Sequence, residues 1–464
     1  MTASIPVADL DDRSLARRGI LPALLCAVLA YSLMQTLLVP ALPQLAASLR
    51  LDAAGSGWIL TSYLLSGAVA APVLGALGDR HGHRRVLLVS LATFILGGIL
   101  CALGGGFGVF LIGRVLQGAA TAAFPLALAI VRHHLPVERQ PAAIGWLSGA
   151  LGLGAGIALV IGGVIAEVSS WQWLFAVGAL LGAVALVLVA VLVPRRSART
   201  ASGSRIDVAG IALLSGGLLA LLLAVAQGAA WGAVAAAALL VLAAVLLATL
   251  WVVERRVREP LIDVRVLTRP AMVLVNLLTL MLGFIPYAFY VGLPALFQAP
   301  LGTGFGMTVA ATGLAMLPGA VLVVIGGRLA PVLLGRMPAA VAAVIALGAM
   351  AGGSVGSALM AGSLPAIVVF FSLVGLGNGL GFALAADLVS RMVPRDEIAA
   401  AVGVNGVLRT IGSALGAPVT MLVIGGARGA SSFTLLFAIA AGVSVMGAIV
   451  GGAIRTPRPG SIPG

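Results

Sequence analysis

The sequence predicts an all-α integral membrane protein of fourteen transmembrane helices, and three observations carry that prediction. The chain is 61% hydrophobic and 9% charged, with a mean hydropathy of +1.18, whereas soluble domains carry about 25% charged residues. Its apolar segments run unbroken for about 20 residues, the length that crosses a ~30 Å hydrocarbon core at 1.5 Å per residue. Barrel strands would alternate polar and apolar positions, so such runs satisfy their backbone amides in lipid only as helices. Finally, all 27 basic residues are arginines and nearly all fall in alternate loops, the distribution that holds cationic loops in the cytoplasm.

The fourteen segments are 20–43, 57–78, 86–104, 107–131, 141–166, 172–194, 207–227, 232–253, 271–297, 308–334, 338–361, 364–388, 399–425 and 431–454. Arg13, Arg17 and Arg18 set the N-terminus in the cytoplasm. The clusters at 80–85, 132–139, 195–205, 255–269, 328–336, 391–395 and 455–458 then share its side, leaving only Arg50 and Arg428 in the opposite loops. An even count returns the C-terminus to the cytoplasm. The expectation is a multi-pass protein of the cell membrane, a bacterial inner membrane, with both termini inside. The acidic leader with Asp9, Asp11 and Asp12, followed by an overlong apolar segment, argues against a cleavable signal. Because the arginines are accounted for by topology, the net charge of +13 does not call for nucleic acid as a partner. Cys26 and Cys101 fall at different depths and read as packing residues rather than a disulfide. Trp58, Trp171, Trp173 and Trp231 fall at the outer boundaries, as an interfacial aromatic belt would.

Three residues repeat at a single offset: Pro136, Gly145 and Gly154 recur as Pro394, Gly403 and Gly412. The stretch from Gly326 to Arg336 likewise looks like a worn copy of the turn from Gly75 to Arg85. Two six-helix halves related by an axis along the membrane normal follow, and the offset exceeds six spans by about two helices of ~20 residues. The expected organisation is a cytoplasmic tail (1–19), an N-terminal six-helix bundle (20–194), a linker (195–206), an inserted hairpin (207–253), a second linker (254–270), a C-terminal six-helix bundle (271–454) and a tail (455–464). Segments 207–227 and 232–253 are almost pure Ala, Leu, Val and Gly, the composition of a lipid-facing element.

The turn Gly75-Ala-Leu-Gly-Asp79-Arg80-His-Gly82-His-Arg84-Arg85 sits between two apolar spans, with glycines for a tight reversal and opposite charges where helix ends meet water. In the fourth span the run Leu111-Ile-Gly113-Arg114-Val-Leu-Gln117-Gly118 puts an arginine inside the membrane, and in the fifth Gly145, Gly154, Gly162 and Gly163 form a glycine series. These three motifs, in these spans, resemble those of the major facilitator superfamily, and fourteen spans resemble its drug/proton antiporter branch of multidrug exporters. The resemblance covers almost the whole chain. It implies gating by the 75–85 turn and by the fifth-span glycines. There are two departures. The antiporter motif's Gly-Pro pair is replaced by Ala158-Leu159, and Met34 stands where fourteen-helix exporters usually carry a first-span acid.

Ionisable groups inside spans cost about 2.5–3.5 kcal/mol on insertion scales and are functional candidates by default. Arg114 either faces a central cavity or braces helix packing. Arg409, one turn after Asn405, either meets substrate or snorkels to the inner surface. Asp387 has Arg391 at i+4 and reads as a helix-end ion pair, while Glu167, at the outer end of the fifth span, is a proton-site candidate; both are weak ones. Gln35, Thr36, Met34, Gln117, Asn276, Tyr287, Tyr290, Asn378 and Asn405 complete the candidate substrate and coupling set, with Phe124, Met281, Phe284, Phe289 and Phe382 as apolar walls. His81, His83, His133 and His134 lack acid or cysteine neighbours at metal-ligand spacing, and no Gly-x-x-x-x-Gly-Lys nucleotide motif occurs. No cofactor, metal or enzymatic activity is expected.

The expected function is gradient-driven efflux of an antibiotic, drug or other bulky, partly apolar small molecule by alternating access, with protons as the coupling ion, lipid as surroundings and a monomeric protein. An importer or facilitator of a small metabolite and a lipid translocator share these features.

Overall fold

The computed structural model describes residues 7–51, 53–195, 207–256, 268–393, 398–426 and 431–454. The predicted segments become helices at Val7–Thr36, Ala53–His81, His83–Leu103, Phe107–His134, Gln140–Val168, Gln172–Leu192, Val208–Trp231, Ala233–Glu254, Pro270–Gln298, Val309–Leu334, Ala339–Leu359, Leu364–Met392, Ile398–Gly426 and Ser431–Gly452. They are called spans 1 to 14 below. Among the described residues thirteen are long and apolar enough to cross a membrane; the remaining one, span 5, is a single helix of 29 residues. The C-terminal tail and most of both linkers lie outside the described residues, whereas the first helix already begins at Val7, within the expected N-terminal tail.

Two elements depart from the expected segments. Span 1 stops at Thr36 instead of reaching residue 43, and a short helix, Leu42–Ser48, follows a turn. Pro40 and Pro43 explain the break, since each lacks an N–H and disfavours helical backbone before it; Pro43 then opens the next helix. Span 4 is α-helical to Gly118, tightens to a 3₁₀ turn over Ala119–Ala122 and resumes to His134. The Thr121 hydroxyl there donates to the carbonyls of Gly67 and Gly118, each at 2.9 Å, tying the tightened turn to span 2.

Helix pairing repeats along the chain. Span 1 packs on spans 5 and 6, span 3 on spans 4 and 6, and span 2 on span 4; the same pairs recur eight spans later as 9 with 13 and 14, 11 with 12 and 14, and 10 with 12. The halves meet through span 5 against span 10 and span 2 against span 13, two contacts that the same relation exchanges. Gly154 abuts Ser32 on span 1, and its repeat partner Gly412 abuts Leu280 and Phe284 on span 9. Spans 7 and 8 pair with each other, and span 7 lies along the seam where spans 2 and 13 meet. Span 8 turns an apolar, largely exposed surface outward, with Val234 85% and Val241 63% exposed, as expected of a helix facing lipid. Trp171 differs from the expected belt: it is buried in an edge-to-face cluster with Phe110 and Phe175, whereas Trp173 and Trp231 are exposed.

Candidate functional site

A cavity lies between the halves, lined from span 1 by Tyr31, from span 2 by Ala71, from span 4 by residues between Thr121 and Arg132, and from span 13 by Gly406, Val407, Arg409 and Thr410. It holds about 540 Å³ of empty space, part of it continuous with solvent. Thr121 belongs to the mid-span 3₁₀ turn and Arg132 to the last helical turn, so the cavity extends from mid-depth toward the arginine-rich face. Helical periodicity builds its wall: Thr121, Phe124, Leu128 and Arg132 follow one face of span 4, and Gly406, Arg409 and Thr410 one face of span 13. Arg409 sits about three turns from the start of its helix, its guanidinium carbon 5.3 Å from the Phe382 ring centroid.

The remaining candidates separate into groups that bind helices to one another. Arg114 is fully buried; its Nε donates to the carbonyl of Ile59 (3.0 Å), Nη1 donates to Gln117 Oε1 (2.9 Å), and its guanidinium carbon is 4.5 Å from the Tyr63 centroid. It does not line the cavity. Arg114 Nη2 and Gln117 Nε2 remain buried without a partner. In the second half the Asn405 amide donates to Thr279 Oγ1 (2.8 Å) and Asn276 Oδ1 (3.2 Å), joining spans 13 and 9. Thr36 donates to the carbonyl of Ala155 (2.9 Å), joining spans 1 and 5, while Gln35 is half-buried. Met34 is fully buried with its sulfur against Gly178 of span 6, so it faces the core of the first half. Tyr287 and Tyr290 form an edge-to-face pair at 5.8 Å, and the Tyr287 hydroxyl and Asn378 Oδ1 are buried without partners. Asp387 pairs with Arg391 at 2.6 Å.

The turn after span 2 divides its labour. Gly82 has φ +93°, a conformation that a Cβ would strain, and it reverses the chain. Arg84 donates to the carbonyls of Val193 (2.8 Å) and Ala190 (2.7 Å), where span 6 ends, a favourable place for a cation. Arg80 and Arg85 are exposed and Gly75 faces open space. Asp79 accepts a hydrogen bond from, or ion-pairs with, His83 at 2.8 Å, one turn on. Asp79→Asn is expected to reduce transport with the amount of membrane-embedded protein unchanged; full activity at matched expression removes Asp79 from the gate.

At the arginine-poor face the halves are held together. Gln298 donates to the carbonyl of Pro40 (2.8 Å), and the Glu167 carboxylate accepts from the backbone N–H of Ala310 (2.8 Å), in the first turn of span 10, where a negative charge also meets the positive end of the helix. Gly163 lies against the backbone of Val309 and Ala310, and Gly313 reciprocally against Leu159 and Val160. Glu167→Lys puts a cation at that helix end, and it is expected to raise the reactivity of a cysteine introduced in place of the cavity residue Thr410 toward impermeant reagents applied at this face. Unchanged reactivity removes Glu167 from the closure. Near the arginine-rich face spans 5 and 10 keep one ring contact, Arg328 over Trp146 at 5.5 Å.

This arrangement, two repeated bundles around a central cavity, has a family. The family model described as Major Facilitator Superfamily matches residues 24–208 and 200–417. The chain belongs to the Major Facilitator Superfamily. Within this superfamily it is 28% identical over 397 residues to the tetracenomycin C resistance and export protein of Streptomyces glaucescens, covering 84% of this chain and 73% of that one. It is 31% identical over 326 residues to an uncharacterized transporter of Mycobacterium tuberculosis, covering 69% of this chain; the aligned region spans about half of that relative, 46%. The superfamily fold is also that of the Escherichia coli xylose transporter in a partially occluded inward-open conformation, with TM-score 0.67, 13% identity and coverage of 97% and 100% of the two chains. Family and fold are those of transporters.

Four polar cavity residues of this superfamily member lie outside the candidate set: Tyr31, Thr121, Arg132 and Thr410. Arg132 was absorbed into the charge pattern that sets topology, yet it lies two helical turns beyond Phe124 on the same face. Tyr31 precedes Gln35 by one turn in the same way. Extending each candidate along its helix at i+4 recovers both.

Proposed function

We propose that this protein is a secondary exporter, which takes a bulky, partly apolar small molecule from the cytoplasm and releases it outside by rocking of its two halves, driven by a proton gradient. The observation that carries the reading is a cavity between the halves that extends toward the arginine-rich face, while Glu167, Gln298, Gly163 and Gly313 hold the arginine-poor face shut. The positive-inside distribution supports a cytoplasmic arginine-rich face, with both termini on that side. The similarity to a resistance and export protein supports an outward direction. Carboxylates at the ends of spans, Glu167 foremost, are the available proton carriers, because the usual first-span acid is replaced by Met34.

Two experiments test this reading. Expression in an efflux-deficient host should lower the accumulation of, and raise resistance to, at least one class in a panel of antibiotics and dyes. Purified protein in vesicles should move that compound only while a proton gradient is imposed. Inward movement, or equal flux without a gradient, contradicts export and favours a facilitator.

A further inference from the structure

The cavity carries an unbalanced charge. Arg409 stands at mid-depth and Arg132 toward the mouth, and no acidic side chain is among the lining residues. Among the described residues neither arginine has an acidic partner: the ion pairs there are Asp79 with His83 and Asp387 with Arg391. Apart from the hydroxyls of Thr121 and Thr410, the rest of the wall is apolar or aromatic, with Tyr31 and Phe124 among the lining residues and the Phe382 ring beside Arg409. Behind this wall Arg114, which is fully buried, adds a third cation, again without a carboxylate. Tyr287 lies within electrostatic range of both Arg114 and Arg409, and Tyr31 and Tyr63 belong to the same cluster. Of the four tyrosines, Tyr31 lines the cavity, Tyr63 lies under Arg114 and donates to the Tyr31 carbonyl, and Tyr287 stacks edge-on against Tyr290.

Resting on the export reading above, we propose that the substrates are planar aromatic anions, carrying a carboxylate, sulfonate or acidic phenolate. A guanidinium presents several N–H donors in a fixed plane, which suits an oxyanion and also stacks on a flat ring. The aromatic and apolar wall takes up the ring system, and the oxyanion supplies the charge that two arginines lack. An organic cation meets two like charges in a medium where they interact more strongly than in water.

The test uses the full chain, purified in nanodiscs, and three probes on one ring: naphthalene-2-sulfonate, naphthalene-2-sulfonamide and 2-naphthyltrimethylammonium. By titration calorimetry the sulfonate is expected to bind at least about tenfold more tightly than the ammonium compound. Arg409→Gln and Arg132→Gln should each shrink that ratio, Arg409→Lys should keep most of it, and Arg409→Glu should reverse it. Monodisperse elution qualifies each variant, and if one Arg→Gln protein fails to fold, the other carries the comparison. Equal or tighter binding of the ammonium compound, no binding of any probe, or a ratio indifferent to the substitutions overturns the proposal. Flux assays on the same protein separate the two readings. Sulfonate binding without gradient-driven movement contradicts export and leaves the charge preference standing, whereas export of the ammonium compound alone does the reverse.

Discussion

Gly163→Leu is expected to abolish transport while leaving a folded protein, held with its arginine-poor face open. A Cβ at this position would meet the Val309 carbonyl oxygen at 2.7 Å and Ala310 Cα at 3.1 Å. Both are backbone atoms of the opposite half, so no rotamer change relieves the clash; the halves must part there. Overpacking costs about 1–3 kcal/mol, and because only the closed state suffers it, the conformational equilibrium shifts by roughly 5-fold to 150-fold. Neighbouring glycines supply the controls. Gly162 abuts the backbone of Leu37, in the turn just after span 1 and within its own half, so Gly162→Leu should reduce the yield of folded protein. At Gly145 a Cβ would find no neighbour within 4 Å, so Gly145→Ala should be nearly silent. Spin-label distances between spans 5 and 10 check the first result. An unaltered distance with normal transport contradicts the role of Gly163 as a contact between halves.

Arg114→Lys and Arg114→Ala should both lose most activity. The guanidinium satisfies the Ile59 carbonyl and Gln117 Oε1 at once while lying over Tyr63. A lysine offers one ammonium at the end of a flexible stem and reproduces neither the fork nor the stacked plane. Alanine leaves Gln117 Oε1 buried and unpaired, at about 1–3 kcal/mol, and removes both the added bond to the Ile59 carbonyl and the guanidinium over Tyr63. The two variants differ in a useful way. Alanine should lower thermal stability as well as transport, whereas lysine should hold the bundle together better and still fail in flux. Full activity of Arg114→Lys shows that a point charge suffices.

Architecture was legible because it depends on run length and charge placement, which do not require knowing what touches what. Where it failed, a local conformation intervened: Pro40 and Pro43 cut span 1 short, and the 3₁₀ turn at Ala119–Ala122 interrupts span 4. The site was less legible for a different reason. Sequence gives the depth of a residue but not the direction in which its helix turns it. Arg409 and Phe124 are on the cavity wall, Arg114 and Gln117 are behind it, and Met34 looks toward span 6. Likewise Gly145, Gly154, Gly162 and Gly163 form one series in sequence, yet they face open space, span 1, the turn after span 1 and the opposite half in turn. Only the identity of each neighbouring helix separates them.

Transport by rocking requires that one cavity be exposed first to one side of the membrane and then to the other. Cysteine at Thr410, a lining residue, introduced after replacement of Cys26 and Cys101, reports this directly through its reaction with a membrane-impermeant maleimide in vesicles of known orientation. Labelling is expected from the arginine-rich face at rest, and from the arginine-poor face once substrate and gradient are supplied. Gly163→Leu should show the second pattern without either. Reaction from a single face under every condition, while transport proceeds, would contradict alternating access through this cavity.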